Sequence, residues 1–366
     1  MKIVNLRTAI VTRTYETDAR NTRHAWSHKS HVLVEIVADN GLSGLGEVYG
    51  DGIGVPQVME TVLATEIAPF LVGEDPWLVE RLRECVAERS VLSGRAATAR
   101  LAMAGVDIAL WDLLGKTVGQ PVYRLLGGHS DRASVYGSGG MFGPSITPQS
   151  LAEEMARAVR SGLGGVKIKG AAAGIDEDVA RAAAVREAIG GERLMVDLMF
   201  APDVPGALRW ARALEPFGLH FLEAPTAAAD IRGWARVRDA ARMPLAGPEL
   251  EWSTDVMRDF LLADAVDLLQ FDVALAGGIS QGRELAALAR GFHKPISLHC
   301  AGTAVTLAAS AHLAAASANC DSVEFHLMHQ SLFERLWAAD WKLEAGALVI
   351  PDRPGLGLDF TLDDVV

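Results

Sequence analysis

The chain has 366 residues, half of them apolar, and a formal net charge of −12. A chain of this size buries a large core and holds one large domain or two, and its acidity argues against a nucleic-acid partner, whose phosphates would repel it. No apolar run approaches the roughly 20 residues that span a bilayer, and the opening MKIVNLRTAI lacks the apolar core of a secretory leader. Cys85, Cys300 and Cys320 are scattered without metal spacing, so the sequence reads as a cytoplasmic protein whose cysteines are small buried side chains.

The N-terminal part reads as a small α+β unit. Residues 2–12 and 31–38 have strand character, Asp39-Asn40-Gly41 signals a hairpin turn, and GLGEVYG continues the sheet. Asp75 is expected to cap a helix with Pro76 in its first turn. A longer helix covers RAATARLAMAGVDIALWDLLGK, where Leu101, Ala104, Ile108 and Trp111 recur at helical spacing and Gly115 is expected to end it. Between the first two strands, residues 16–30 are expected to form a long loop carrying Arg20, Arg23, His24, Trp26, His28 and Lys29. Any one of these reads as a solvated surface residue. Together, basic and aromatic residues suit a lid over an anionic, hydroxyl-rich ligand.

From about residue 134 the pattern is regular. Short apolar runs at 134–140, 165–169, 193–198, 219–225, 244–249, 266–273, 295–300 and 322–325 are separated by alanine-rich amphipathic helices. Eight strands alternating with helices predict a parallel (β/α) barrel, with a doubly wound sheet as the alternative. No GxGxxG follows a strand, so the dinucleotide fold has no fingerprint.

An ionisable residue stands at the carboxyl end of each strand from the second onward: Lys169, Asp197, Glu223, Glu249, Asp272, His299 and Glu324. They lie 23–28 residues apart, one strand–helix unit each. In a barrel such ends converge on one mouth. Asp197, Glu223 and Glu249 form an all-oxygen set suited to a hard divalent cation, Mg²⁺ before Zn²⁺, with Glu251 as a rival for the third position. Lys167 and Lys169 share one face of a strand that should be buried. At ~6 Å and an effective dielectric near 20 their repulsion is about 3 kcal/mol, so Lys169 is expected to be neutral near pH 7 and to act as a base. His299 with Asp272 makes a second acid/base unit. Glu324, if protonated, can donate to a substrate carboxylate. This set abstracts the proton α to a carboxylate and stabilises the enediolate; reprotonation gives racemisation, and loss of a β-hydroxyl gives a 2-keto acid.

These residues resemble the enolase superfamily, mandelate racemase subgroup, over essentially the whole chain. KIK at 167–169 resembles its Lys-x-Lys, with Lys169 as base. Asp197, Glu223 in FLEAP and Glu249 in AGPE resemble its metal ligands. Asp272 and His299 resemble its dyad, and Glu324 its electrophilic glutamate. AMAGVDIALWDLLGK and PDRPGLGLDFT resemble segments of its first domain and C-terminus. The resemblance implies a (β/α)7β modified TIM barrel at 131–325 and an N-terminal α+β capping domain at 1–130, completed by 326–366. The lid would be residues 16–30, with a second loop near Tyr49–Ile53. Substrate contacts are expected from Arg20, Arg23, His24, Trp26, Lys29, Tyr49 and Met199; many relatives have Asn where this chain has Met199. His326 and His329 are candidates to line the pocket, although as lone histidines they read rather as structural or exposed.

The implied activity is a Mg²⁺-dependent dehydratase of an aldonate or aldarate, giving a 2-keto-3-deoxy acid, in a homo-oligomer. The alternatives are a racemase or epimerase of a 2-hydroxy acid using the same residues, and a non-catalytic binding barrel. A Schiff-base aldolase would use the lysines but leaves the carboxylates and the dyad unexplained.

Overall fold

The computed structural model describes residues 1–50, 55–92, 94 and 96–365, with the backbone alone for 16–19 and 92. Eight strands form a closed parallel barrel: β4 (Arg132–Gly139), β5 (Gly165–Lys169), β6 (Arg193–Asp197), β7 (Phe221–Glu223), β8 (Leu245–Gly247), β9 (Leu268–Asp272), β10 (Ile296–His299) and β11 (Cys320–His326). Each pairs with the next, and β11 closes onto β4 with Glu324 opposite Tyr136. Helices run between successive strands, so the expected (β/α)7β barrel is borne out and the doubly wound sheet is not. Several strands are shorter than their apolar runs, β7 and β8 being three residues each.

Successive side chains on a strand face opposite sides, so every second residue points into the barrel. Tyr136, Met195, Phe221, Ala246 and Leu268 meet there as an apolar plug. Two residues further along the same strands, and on their neighbours, stand Lys169, Asp197, Glu223, Gln270, His299 and Glu324, all buried. The plug fills the barrel beneath these side chains, and above it they pair with one another at the mouth.

The N-terminal sheet is antiparallel, in the order β1 (Ile3–Arg20), β2 (Ala25–Ala38), β3 (Ser43–Val48). Residues 16–30 are therefore not a loop. Both strands run on into a two-stranded ribbon, with Arg20 opposite Ala25 and a register shift between Thr14 and Ala19. The ribbon leaves the main sheet, so it lacks the alternating apolar face that makes a strand readable in sequence.

The helix Ala96–Val118 runs past Gly115. A Cβ at Gly115 would lie 2.6 Å from the Gly355 Cα, so this glycine serves a close chain crossing and does not end the helix. Nor does Asp75 cap a helix. Its side chain accepts from the Trp77 amide in a turn, and the helix begins at Val79.

On β3 the alternation separates two roles. Gly44 and Gly46 face the helix Ala96–Val118, where a Cβ would meet the Ala109 carbonyl oxygen at 2.1 Å and the Gly105 carbonyl oxygen at 1.8 Å. Leu45, Glu47 and Tyr49 face the barrel: Leu45 and Tyr49 pack into its core and Glu47 bonds to Thr303. The C-terminal segment adds a hairpin, β12 (Lys342–Glu344) and β13 (Ala347–Val349), that pairs antiparallel with β4. Its last turn returns to the N-terminal sheet through an ion pair of Asp363 with Arg7. Among the described residues no helix is long and apolar enough to cross a membrane.

Gly46→Ala forces a methyl group into backbone that side-chain rotation cannot relieve. We expect a loss of about 3 kcal/mol or more in urea unfolding, whereas Gly73→Ala, whose Cβ meets nothing within 4 Å but sits at φ +92°, should cost about 1 kcal/mol.

Candidate active site

The barrel brings the predicted strand-end residues together. Asp197, Glu223 and Glu249 each offer an oxygen, and these atoms lie within 4.8 Å of one another. Neighbouring register explains the first two, since Asp197 stands opposite Glu223 across β6 and β7. Glu249 follows two residues after β8 ends. Glu251 is elsewhere: its Oε1 accepts from the amides of Trp252 and Ser253.

The two lysines do not face each other as bare charges. Lys167 Nζ lies 2.5 Å from Glu223 Oε1 and 3.3 Å from Glu324 Oε1, and Lys169 Nζ lies 2.6 Å from Asp197 Oδ2. Burial favours a neutral amine, but these carboxylates outweigh it and raise both lysines above the ordinary value. The expected mutual depression is thus overridden, because each lysine has its own counter-charge. Glu324 differs from expectation in the same way. Burial would raise its pKa, yet Lys167, His299 and Lys169 hold it well below the carboxylate range, so it is ionised here.

His299 Nδ1 is 2.7 Å from Asp272 Oδ2, and Asp272 Oδ1 accepts from the Ala274 amide, which fixes the carboxylate. The other nitrogen, Nε2, points to the centre, 3.7 Å from Glu249 and 3.8 Å from Glu324. Burial lowers the imidazole pKa, but Glu324 and Asp272 raise it further. Lys169 and His299 approach the carboxylate trio from β5 and β10, strands that lie on either side of β6 to β8 in the sheet order.

The trio fits a hard divalent cation. All its donors are oxygen, and Glu249 Oε2 is buried with no hydrogen-bond partner. Burial and then Asp197 push Glu249 up to about 7. Burial raises Glu223 as well, with Glu249 and Asp197 adding to it against Lys167. Carboxylates crowded this way reach full ionisation only with added positive charge nearby.

A cavity of about 280 Å³ opens over this cluster, between the barrel mouth and the N-terminal ribbon. Arg23, His24, Trp26, Lys29, Tyr49 and Met199 line it with Lys169, Glu249 and His299. Arg20 does not; its side chain is exposed, and its carbonyl accepts from the Phe142 amide. The ribbon is pinned over the mouth. Asn21 Oδ1 accepts from the amides of Arg23 and His24 to form the turn, and Thr22 Oγ1 donates to the Gly170 carbonyl at 2.5 Å. Arg23 Nε donates to the Met199 carbonyl at 2.6 Å, and its guanidinium also reaches the Phe200 carbonyl. Met199 adopts φ +53°, a region that Asn tolerates better than Met, and its sulfur takes a contact from Asn21 Nδ2 at 3.6 Å. Of the second expected loop, Tyr49 is in the wall; residues 51–53 lie outside the described ones.

Sequence reasoning missed several of these residues. Gln270 Nε2 donates to Glu223 Oε2 at 2.7 Å from inside the barrel. Its signal was its place two residues before Asp272, on the same strand face. His326 lines the cavity and His329 is buried with Nδ1 donating to the Gly302 carbonyl, so neither is exposed. Asn21, the turn residue of the ribbon, had no signal once that segment was read as a loop.

Residues 5–127 match the mandelate racemase/muconate lactonizing enzyme N-terminal domain, and residues 150–365 match the enolase C-terminal domain-like family. The chain belongs to the mandelate racemase/muconate lactonizing enzyme family of the enolase superfamily. Within it, the chain is 32% identical to an arabinonate dehydratase of Saccharolobus solfataricus, over 96% of this chain and 93% of that protein. It is also 32% identical to a D-galactarolactone cycloisomerase of Agrobacterium fabrum, over 99% and 97%. Among solved structures of this enzyme family, a Streptomyces coelicolor racemase with bound magnesium superposes with a TM-score of 0.90 at 28% identity, covering 99% of this chain and 98% of that one.

Gln270→Leu leaves Glu223 Oε2 without its donor inside the barrel. In EDTA we expect a loss of about 1–3 kcal/mol in urea unfolding. An unchanged midpoint would mean that the barrel interior supplies another partner.

Proposed function

We propose that this protein is a Mg²⁺-dependent dehydratase of an acid sugar, an aldonate or aldarate, which it converts to a 2-keto-3-deoxy acid. The observation that carries the reading is the placing of two proton-transfer groups, Lys169 and the His299–Asp272 pair, on either side of one all-oxygen metal site. The dehydratase and cycloisomerase named among the relatives support the substrate class. The division into a capping domain of residues 1–130 with 326–366 and a barrel of 131–325 belongs to the same proposal.

Asp197, Glu223 and Glu249 would hold the cation. When bound, it would supply Lewis-acid polarisation of the substrate carboxylate and the positive charge that the crowded trio calls for. The chain's own residues do the rest. Lys167, at the floor beside Glu324, donates to the carboxylate end of the substrate, and Glu324, ionised without substrate, joins it as a donor only after gaining a proton. With Asp197 engaged by the cation, Lys169 would lose the counter-charge that keeps it protonated; whichever of Lys169 and His299 is unprotonated takes the proton from the α carbon, breaking that C–H bond and leaving its electron pair in the enediolate. The pair then forms the C2–C3 double bond as the C3–O bond breaks, and the opposite group protonates the departing hydroxyl to water. The enol product takes a proton at C3 and releases the one on its C2 oxygen to become the 2-keto acid. Asp272 keeps His299 in one orientation with Nε2 towards the reacting carbons. The ribbon excludes water and supplies Lys29, His24 and Trp26 around the hydroxyl-bearing chain.

The same residues would racemise or epimerise a 2-hydroxy acid that has no leaving group at C3. The basic and hydrogen-bonding wall favours the dehydratase, since Arg23, His24, Lys29 and His326 suit a polyhydroxylated anion.

Proton NMR in D₂O with Mg²⁺ and a panel of aldonic and aldaric acids tests this. Dehydration is expected to remove the α-proton signal and to give a deuterium-labelled C3 methylene. Lys169→Met and His299→Asn should each lower the rate by about 100-fold or more while the protein stays folded. Loss of the α-proton with an intact carbon skeleton would replace the dehydratase by a racemase or epimerase. A fully active double variant would remove both readings.

A further inference from the structure

A second buried polar cluster lies behind the dyad, outside the reacting cavity. Glu47, on β3 of the N-terminal sheet, is fully buried against the barrel. Its carboxylate accepts from the Thr303 amide at 2.9 and 3.0 Å, from Thr303 Oγ1 at 2.7 Å and from the Thr306 amide at 3.0 Å. These donors form the N-terminus of the helix Ala304–Ala316, where the orphan amides and the helix dipole attract an anion. The anion here comes from the other side of a domain boundary. His31 Nδ1 on β2 lies 3.0 Å from Glu47 Oε1, and the Glu47 carboxylate stays below its ordinary range despite burial through the His31 contact and the threonine donors.

The segment that joins this helix to the dyad is short. His299 ends β10, and only Cys300, Ala301 and Gly302 separate it from Thr303. Gly302 is also held through its carbonyl, which accepts from His329 Nδ1 at 2.8 Å. No side chain fits at Gly302: a Cβ there would lie 2.5 Å from the Thr306 side chain and 2.8 Å from Glu47 Oε1. One residue pair further along β3, the Tyr49 amide donates to the Ala274 carbonyl at 3.4 Å, in the loop that follows Asp272. The end of β3 therefore touches the loops behind both members of the dyad. The four hydrogen bonds that Glu47 accepts from the barrel all come from Thr303 and Thr306, on the His299 side.

We propose that Glu47 is a positioning residue that sets the His299 side of the site from the capping sheet, and that the Lys169 side does not depend on it. This rests on the two-base reading given above. The test uses the full chain with Glu47→Gln, in which an amide nitrogen faces the helix donors.

The first readout is amide hydrogen exchange over residues 300–306, in the absence of any substrate. Exchange is expected to quicken by about tenfold or more, in step with the loss of a charge-assisted acceptor; unchanged protection would overturn the proposal. The second readout is washout of the α-proton into D₂O from acids of both C2 configurations, with Lys169→Met identifying which configuration uses which base. For the configuration that uses His299, kcat is expected to fall by about 30-fold with KM within about threefold, while the Lys169-dependent washout stays within about twofold. Equal losses for the two configurations would mean a general structural role and would overturn the proposal, as would no loss for either. If the unaltered protein washes out no α-proton, the proposed function fails, and the exchange measurement still decides the role of Glu47. Should Glu47→Gln not fold, Thr303→Ala removes one of the donors and is expected to give the same one-sided pattern at smaller size.

Discussion

The structure depends on the enclosure of many charges in one small volume. Asp197, Glu223, Glu249, Asp272 and Glu324 share the barrel mouth with Lys167, Lys169 and His299, and every one is buried. Unpaired, any of these would cost several kcal/mol, and burial alone would neutralise it. Each lysine is therefore matched to a carboxylate on an adjacent or nearby strand, and the imidazole to Asp272. With both lysines and the imidazole protonated, five carboxylates still leave two negative charges over. A divalent cation on the oxygen trio would make up that difference. The upward push on Glu249 and Glu223 is the electrostatic mark of the same deficit.

The N-terminal sheet contributes in two places. Its ribbon covers the cavity and grips the backbone after β6 through Arg23, so this wall of the cavity is anchored two residues from Asp197. Its third strand packs glycines against the helix Ala96–Val118 and turns Leu45, Glu47 and Tyr49 towards the barrel. Under the proposed function, specificity and support would thus come from opposite ends of one small sheet, while the barrel would hold the reacting groups.

Much of this was legible in the sequence. The barrel was readable because eight apolar runs repeat at one strand–helix spacing, and the ionisable residues at their ends repeat with them. The trio, the dyad and the lysine strand follow from that period alone, and so does their convergence. What the sequence hid has specific causes. The ribbon carries no apolar alternation, so its strand character was invisible. The lysines were assigned a mutual repulsion, because the pairing of Lys169 with Asp197 depends on side-chain reach across β5 and β6 and not on spacing. Gly115 resembles a helix stop, but its reason lies at Gly355, distant in the chain. His326 is a pocket candidate that reads more readily as structural when taken as a single histidine; its place two residues after Glu324, on the same face of β11, is the signal that favours the pocket.

The central claim is that the trio holds one divalent cation as part of the native charge balance. Electron paramagnetic resonance of Mn²⁺ titrated into the metal-free protein measures this directly. The account predicts one tightly held ion per chain, lost in Asp197→Asn and Glu249→Gln and retained in Glu251→Gln. No stoichiometric binding, or binding that survives the first two substitutions, would contradict it.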